Sequence, residues 1–144
     1  MAKTIPTTVT LVGDPNRRQR EASAVVTPGF LIELAADNTV APHSGAGTTS
    51  SRWVAVENDI AGDDLNHDYQ SGEVVLINVF RPGDEFLGIL VAGQNAAIGA
   101  FLTSNGDGKL KVATGGDVRV AMAVKAVDVS GTGDPDGRIH AQVL

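Results

Sequence analysis

The sequence contains no cysteine. Disulfide bonds and thiolate metal sites are therefore excluded, and the chain suits folding in a reducing cytoplasm. No run of residues approaches the roughly 18 apolar side chains that a membrane span requires. The opening stretch, MAKTIPTTVTLVGDP, also lacks the apolar centre of a signal peptide. We therefore expect a protein that is made in the cytoplasm and has no membrane partner.

Basic residues are scarce, with 11 Lys and Arg against 17 Asp and Glu and a net charge of −6. A negative balance argues against broad nucleic-acid binding, so we expect no nucleic-acid partner. The charge is uneven: residues 1–21 hold four bases and two acids, a balance of +2, and residues 22–144 hold seven bases and fifteen acids, a balance of −8. The cluster Arg17, Arg18 and Arg20 is read either as a solvated loop or as an arm that docks on an acidic partner surface.

Aromatic residues and helical periodicity are also sparse, whereas period-2 alternation is common. In residues 117–128, Val118, Val120, Met122, Val124 and Ala126 fall on one face of a half-buried strand. Residues 138–144 alternate in the same way, with Ile139, Ala141 and Val143 on one side. Further strands are predicted at 8–12, 29–35, 52–58, 73–80 and 86–93, the last two being apolar enough to be buried on both faces. At most one short helical turn is expected, within 57–69.

Glycine, proline, asparagine and aspartate separate these runs, as in GDPN, RPGDE and SGTGDPDG. A chain of 144 residues favours one domain. The pattern predicts an all-β protein: a single compact β-sandwich or β-barrel-like domain with short loops and little helix. Residues 1–28 hold three prolines and most of the local positive charge, so we expect an extended N-terminal arm or edge segment (1–28) followed by the β-domain (29–144).

The NGDG sequence at 105–108 can be read as a hairpin turn or as the start of a calcium loop. Counted from Asn105, the fifth loop position is Lys109 and the twelfth is Gly116, where calcium requires an oxygen ligand and a glutamate. A hairpin turn is therefore predicted. The acidic run Asp59, Asp63, Asp64 and Asp68 is read as a solvated loop, and no metal site is predicted.

Catalytic signatures are missing as well. His43 and Ser44 lie in the glycine-rich stretch APHSGAGTTS, but a nucleophile elbow needs glycine where Pro42 stands. The same stretch lacks the third glycine and the following helix of a dinucleotide loop. No histidine pair has zinc-site spacing. We expect no enzyme, no catalytic residues and no cofactor.

The order of segments resembles that of head decoration (capsid cement) proteins of tailed bacteriophages. The resemblance runs from about Val9 to Leu144 and rests on the turn RPGDE, the hairpin LTSNGDGKL and the closing pair of strands around AVKAVD and RIHAQVL. It implies a β-rich structural virion protein that is synthesised in the host cytoplasm and binds the outer surface of the assembled head. It further implies a homotrimer that stabilises the head by bridging neighbouring major capsid subunits.

Candidate capsid contacts are Arg17, Arg18 and Arg20, from the charge asymmetry, and Trp53, a lone tryptophan that is read either as an anchor or as core. Two other readings stay open. One is another phage structural β-module, such as a tail, spike or adaptor domain. The other is a calcium- or glycan-binding β-domain that uses the acidic loops 59–68 and 128–137.

Overall fold

The computed structural model describes residues 7–144, and these form an all-β domain without an α-helix. The strands are β1 (Thr10–Val12), β2 (Asn16–Glu21), β3 (Ile32–Leu34), β4 (Val40–Pro42), β5 (Trp53–Ala55), β6 (Val74–Val79), β7 (Glu85–Leu90), β8 (Asn95–Ala96), β9 (Phe101–Ser104), β10 (Leu110–Val112), β11 (Ala121–Ala123), β12 (Val127–Asp128) and β13 (Gly137–Val143). One 3₁₀ turn, Ala36–Asn38, joins β3 to β4. Within 7–144, no helix could cross a bilayer.

Five strands close into a barrel. The sheet runs in the order β1-β7-β10-β9-β11-β13, and β7 also pairs with β13, so that β7, β10, β9, β11 and β13 form a ring. The longest pairing joins Gly137–Val143 to β7, from Gly137 opposite Leu90 to Gln142 opposite Glu85. Closure removes free edges from most of this sheet, which protects it from pairing with other chains. The predicted all-β, barrel-like domain is confirmed.

A three-stranded sheet, in the order β2-β6-β5, lies beside the barrel, and β3 pairs with β4 in a hairpin. The central strand β6 is buried on both faces, as predicted from its continuous apolar run. Leu76 on one face joins the apolar cluster that fills the barrel, whereas Val75 and Ile77 on the other face join a second cluster. The second cluster also holds Ile32 and Val40 of the β3–β4 hairpin. The small sheet therefore separates two hydrophobic cores.

The predicted strand over 117–128 is wrong in its length and in its buried face. The structure breaks it into β11 and β12, and it buries Ala121 and Ala123 while Met122 is half exposed. The barrel interior already holds the large side chains of Phe86 and Leu102, so small side chains fit opposite them. Residues 138–144 follow the prediction, since Ile139, Ala141 and Val143 point inward.

NGDG forms the turn of the β9–β10 hairpin, as predicted. Ser104 pairs with Leu110, and the Asn105 N–H donates to the Lys109 carbonyl oxygen at 2.9 Å. Gly108 adopts φ +84° and lies against the Phe30 ring, which leaves no room for a Cβ. Residues 57–69 form turns without a helical turn, within the expectation of at most one, and Tyr69 pairs with Val26 in an isolated bridge.

The segment before Pro28 contributes edge strands and buried residues. β1 pairs with β7, and β2 pairs with β6. Val9 lies in the barrel core, and Val26 lies in the second core. The division between an arm (1–28) and a β-domain (29–144) stays a prediction, and residues 1–6 lie outside the described residues.

Candidate functional site

The structure brings together three of the four predicted contact residues. Arg18 pairs with Ile77 of the neighbouring strand, and Trp53 pairs with Val79 on the other side of that strand. Residues two apart on a strand, and residues paired across strands, share one face of a sheet. Arg18, Arg20 and Trp53 therefore point to the same face of the β2-β6-β5 sheet, although 33 or more positions separate the arginines from the tryptophan. We call these three residues the Arg–Trp patch.

The two arginines are placed around the tryptophan ring. The Arg18 and Arg20 guanidinium carbons lie 5.7 and 5.9 Å from the Trp53 ring centroid. These are cation–π distances, at which the positive charges are attracted to the ring face. Trp53 is half-buried and packs against the second core, and its role as a capsid anchor stays a prediction. The patch thus presents two positive charges beside an aromatic ring that is packed against the second core.

Arg17 lies on the opposite face. It alternates with Arg18 along β2, and its Nη1 atom lies 3.1 Å from Asp59 Oδ1. Both side chains of this ion pair are well exposed, so the pair contributes little to stability. The structure therefore divides the arginine cluster that looks continuous in the sequence.

β2 lies at an edge of its sheet and pairs along its length only with β6 among the residues from 7 onward. Its outer edge pairs with no further strand among these residues, although the Gln19 carbonyl oxygen accepts a hydrogen bond from Arg20 Nη1 at 3.3 Å. The arginines are charged side chains of the kind that natural edge strands often carry. Arg20 Nε is buried and has no hydrogen-bond partner within the described chain. A buried donor without an acceptor is costly.

A shallow cleft adjoins the patch at the end of β2. Its volume is about 390 Å³. It is lined by Gln19, Arg20, Glu21, Asp37, Asn38, Thr39 and Val74. Asp37 and Asn38 hold left-handed conformations, with φ +57° and +64°. The cleft combines hydrogen-bonding side chains with the half-exposed apolar surface of Val74.

The glycine-rich stretch around His43 forms no nucleophilic pair with Ser44. The Ser44 hydroxyl donates to Glu33 at 2.6 Å. His43 is buried, with Nδ1 2.7 Å from the Ser104 hydroxyl and Nε2 3.1 Å from the Thr49 carbonyl oxygen. The carbonyl can only accept, so Nε2 carries the proton. Ser104 is fully buried, so this histidine links the β9 strand to a loop within the fold.

The acidic loops use their carboxylates in local contacts. Asp63 lies 3.6 Å from His67, Asp64 accepts the Asn66 N–H, and Asp134 accepts the Gly131 N–H. Hydrogen bonds from Ser130 lower the pKa of Asp128. Over residues 7–144, no group of three or more His, Asp or Glu side chains is placed to hold a metal ion.

Sequence reasoning missed three buried or half-buried charged groups that tie segments together. Arg138 donates from Nη1 to the Pro28 carbonyl oxygen at 2.6 Å and from Nη2 to the Leu65 carbonyl oxygen at 2.9 Å. Lys109 of the NGDG turn lies 2.8 Å from Asp136. Glu57 is buried and accepts the Val9 N–H. These contacts span 27 to 110 positions, so no local pattern could have indicated them.

No protein-family model matches the chain, and no curated protein matches it. Among solved structures, the chain is similar to the crystal structure of the N base of head fiber gp8.5 in bacteriophage phi29. The two share 13% sequence identity with a TM-score of 0.60, and the match covers 90% of this chain and 93% of that chain. The likeness is therefore one of fold, and it extends over nearly the whole of both chains.

Proposed function

We propose that this protein is a structural component of a bacteriophage particle, bound to the outer surface of the head. The observation that carries the proposal is the shared fold with a phage head fiber base over 90% of the chain. The resemblance in segment order to head decoration proteins points to the same part of the particle. The proposal assigns no catalytic activity.

The proposed action is mechanical: the protein bridges neighbouring major capsid subunits and raises the free energy that is needed to separate them. A homotrimer would grip several subunits at once, and linked contacts gain roughly 10²–10⁴ in avidity over one contact. We place the grip on the Arg–Trp patch and the adjoining free edge of β2. Positive charge meets acidic capsid residues there, and the backbone edge accepts an added strand. Aromatic and arginine side chains are the residue types that dominate binding energy at protein interfaces.

Co-sedimentation with undecorated phage heads tests the proposal. The purified protein is mixed with expanded heads that lack it, and the bound fraction is measured against concentration. We expect saturable binding, with copies spread over the head surface when the particles are imaged by electron microscopy. No binding to any phage head, or binding confined to the tail, would contradict the assignment.

A double variant then tests the patch. Arg18→Gln with Arg20→Gln removes two charges from β2, whereas the control, Arg81→Gln with Lys125→Gln, removes two charges from exposed positions elsewhere. We expect the first variant to bind heads at least about tenfold more weakly, since charged hydrogen bonds contribute about 1.5–3 kcal/mol each. Equal binding by both variants would show that the Arg–Trp patch is not the capsid-binding surface.

A second candidate function is the base of a longer fiber on the head. It is favoured by the fact that the similar structure is the N base of a head fiber. Microscopy of decorated heads separates the two: a fiber base leaves density that projects from the head beyond the size of this domain, whereas a cement protein does not.

A further inference from the structure

A second cleft lies on the opposite side of the three-stranded sheet from the Arg–Trp patch. Its volume is about 380 Å³. It is lined by Thr8, Thr10, Gly13, Asp14, Pro15, Arg17, Glu57, Asp59 and Asn78. Three carboxylates and one guanidinium line it, a formal balance of −2. We call it the Glu57 cleft.

Glu57 forms the unusual part of this cleft. The residue is only 8% exposed, and its Oε2 accepts the Val9 N–H at 3.0 Å. Within residues 7–144, no cationic group forms a direct ion pair with its carboxylate: Arg17 lines the same cleft but pairs with Asp59. The guanidinium of Arg138 interacts with the Glu57 charge only at longer range. Its second oxygen, Oε1, has no hydrogen-bond partner in that range but is not sealed from the cleft. Burying a carboxylate without a direct ion pair costs free energy of folding.

Asn78 adds a second acceptor to the same cleft. The residue is 6% exposed, and its Nδ2 donates to the Thr10 hydroxyl at 2.7 Å. Its Oδ1 has no partner among the described residues. Two nearly buried side chains thus each keep one acceptor oxygen open to the cleft. Acceptors in a negative cleft select a ligand that brings both positive charge and N–H donors.

We propose that the Glu57 cleft binds a lysine or arginine side chain of a partner protein. A Lys ammonium carries three donors and an Arg guanidinium carries five, which suits Glu57 Oε1 and Asn78 Oδ1 together. The alternative of a divalent cation is disfavoured, because the three carboxylates that line the cleft are not placed close enough together to hold a metal ion. The inference does not depend on the phage assignment, since it concerns the chemistry of the cleft alone.

Binding is measured by amide NMR with Nα-acetyl-lysine methylamide and Nα-acetyl-arginine methylamide as probes. The neutral control is Nα-acetyl-norleucine methylamide, which matches lysine in chain length. All samples carry Lys3→Gln, so that no lysine of residues 1–6 competes. We expect saturable shifts at the amides of Val9, Glu57 and Asn78 with the cationic probes, and none with the neutral one.

Two variants give opposite expected changes. Glu57→Gln keeps an acceptor for Val9 but removes the charge, and we expect probe binding at least about tenfold weaker with an equal or higher melting temperature. Arg17→Gln removes the cation from the rim, and we expect tighter probe binding. The matched control is Glu73→Gln, which removes one exposed carboxylate and leaves binding unchanged.

Three results would overturn the inference. The first is equal binding of the lysine probe by the parent and by Glu57→Gln, each shown by its amide spectrum to be folded. The second is equal shifts from the norleucine probe. The third is a response of the same amides to calcium chloride but not to the cationic probes, which would make the cleft a metal site.

Discussion

Arg138 Nη1 donates a 2.6 Å hydrogen bond to the carbonyl oxygen of Pro28, 110 positions earlier in the chain. The same guanidinium bonds the Leu65 carbonyl oxygen, so one side chain on the barrel strand β13 holds two loops of the neighbouring sheet. Burial lowers the pKa of Arg138, because removing the guanidinium from water disfavours its charged form. The contact joins the segment before Pro28 to the rest of the domain.

Replacing Arg138 should therefore destabilise the whole domain. Arg138→Met keeps much of the apolar stem but leaves two carbonyl groups without a donor, and we expect a loss of about 2 kcal/mol or more in the free energy of unfolding. Urea denaturation measures this loss. Arg81→Met at an exposed position is the control, and it should lose less than about 0.5 kcal/mol. Equal losses in the two variants would show that the two hydrogen bonds of Arg138 do not stabilise the fold.

Gly108 and Gly99 share one φ angle but differ in their surroundings. Replacing each by alanine therefore distinguishes the cost of a steric contact from the cost of the left-handed backbone conformation. Gly108 and Gly99 both have φ +84°, but a Cβ on Gly108 would lie 2.7 Å from the Phe30 ring, whereas nothing lies within 4 Å of one on Gly99. We expect Gly99→Ala to cost about 1–2 kcal/mol from the left-handed conformation alone. Gly108→Ala should cost roughly 1–3 kcal/mol more, because the ring must move. Equal denaturation midpoints would contradict the close approach of Phe30 to the turn.

The single tyrosine allows a direct test of burial. Burial raises the pKa of Tyr69 to about 12, and its hydroxyl donates to the Val56 carbonyl oxygen at 2.6 Å. Because the sequence holds no other tyrosine, phenolate absorbance near 295 nm reports this group alone. We expect ionisation about two pH units above the ordinary value near 10. An ordinary midpoint in the folded protein would contradict the burial of this hydroxyl.

The same group makes stability depend on alkaline pH. Its pKa is raised on folding, so its contribution is fully present below pH 10 and is lost as pH rises from about 10 to 12. Over this window we expect the free energy of unfolding to fall by roughly 2–3 kcal/mol. Hydrogen bonding to Asp136 also raises the pKa of Lys109, which adds to the loss above about pH 10.5. Tyr69→Phe should be less stable at pH 8 but less sensitive between pH 10 and 12, as read by urea midpoints.

The Arg–Trp patch should also show in the fluorescence of the lone tryptophan. Arg18→Gln with Arg20→Gln removes both guanidinium groups from within 6 Å of the ring, which increases its contact with water. We expect Trp53 emission to shift to longer wavelength while the melting temperature changes by only a few degrees. The control, Arg81→Gln with Lys125→Gln, should leave the spectrum unchanged. An unchanged spectrum in the first variant would contradict the stacking of the arginines on Trp53.

Much of the local structure could be predicted from the sequence. The alternation in residues 138–144 identified Ile139, Ala141 and Val143 as inward-facing, and the unbroken apolar run of β6 predicted burial on both faces. Both patterns depend on side chains along one strand, where period 2 decides the face. The same reasoning predicted the wrong buried face for residues 117–128, because the barrel interior had room only for the alanines of β11.

The sequence by itself determined that this protein is all-β, that a hairpin turn lies at NGDG and that Arg17, Arg18 and Arg20 form a basic cluster, since each depends on neighbouring residues. Only the tertiary structure decided that five strands close into a barrel, that Arg18 and Arg20 flank Trp53, and that Glu57 is buried without a direct ion pair among the described residues. These relationships join positions far apart in the chain. Strand pairing and shared cores bring such positions together, and no pattern within one segment encodes a partner in another.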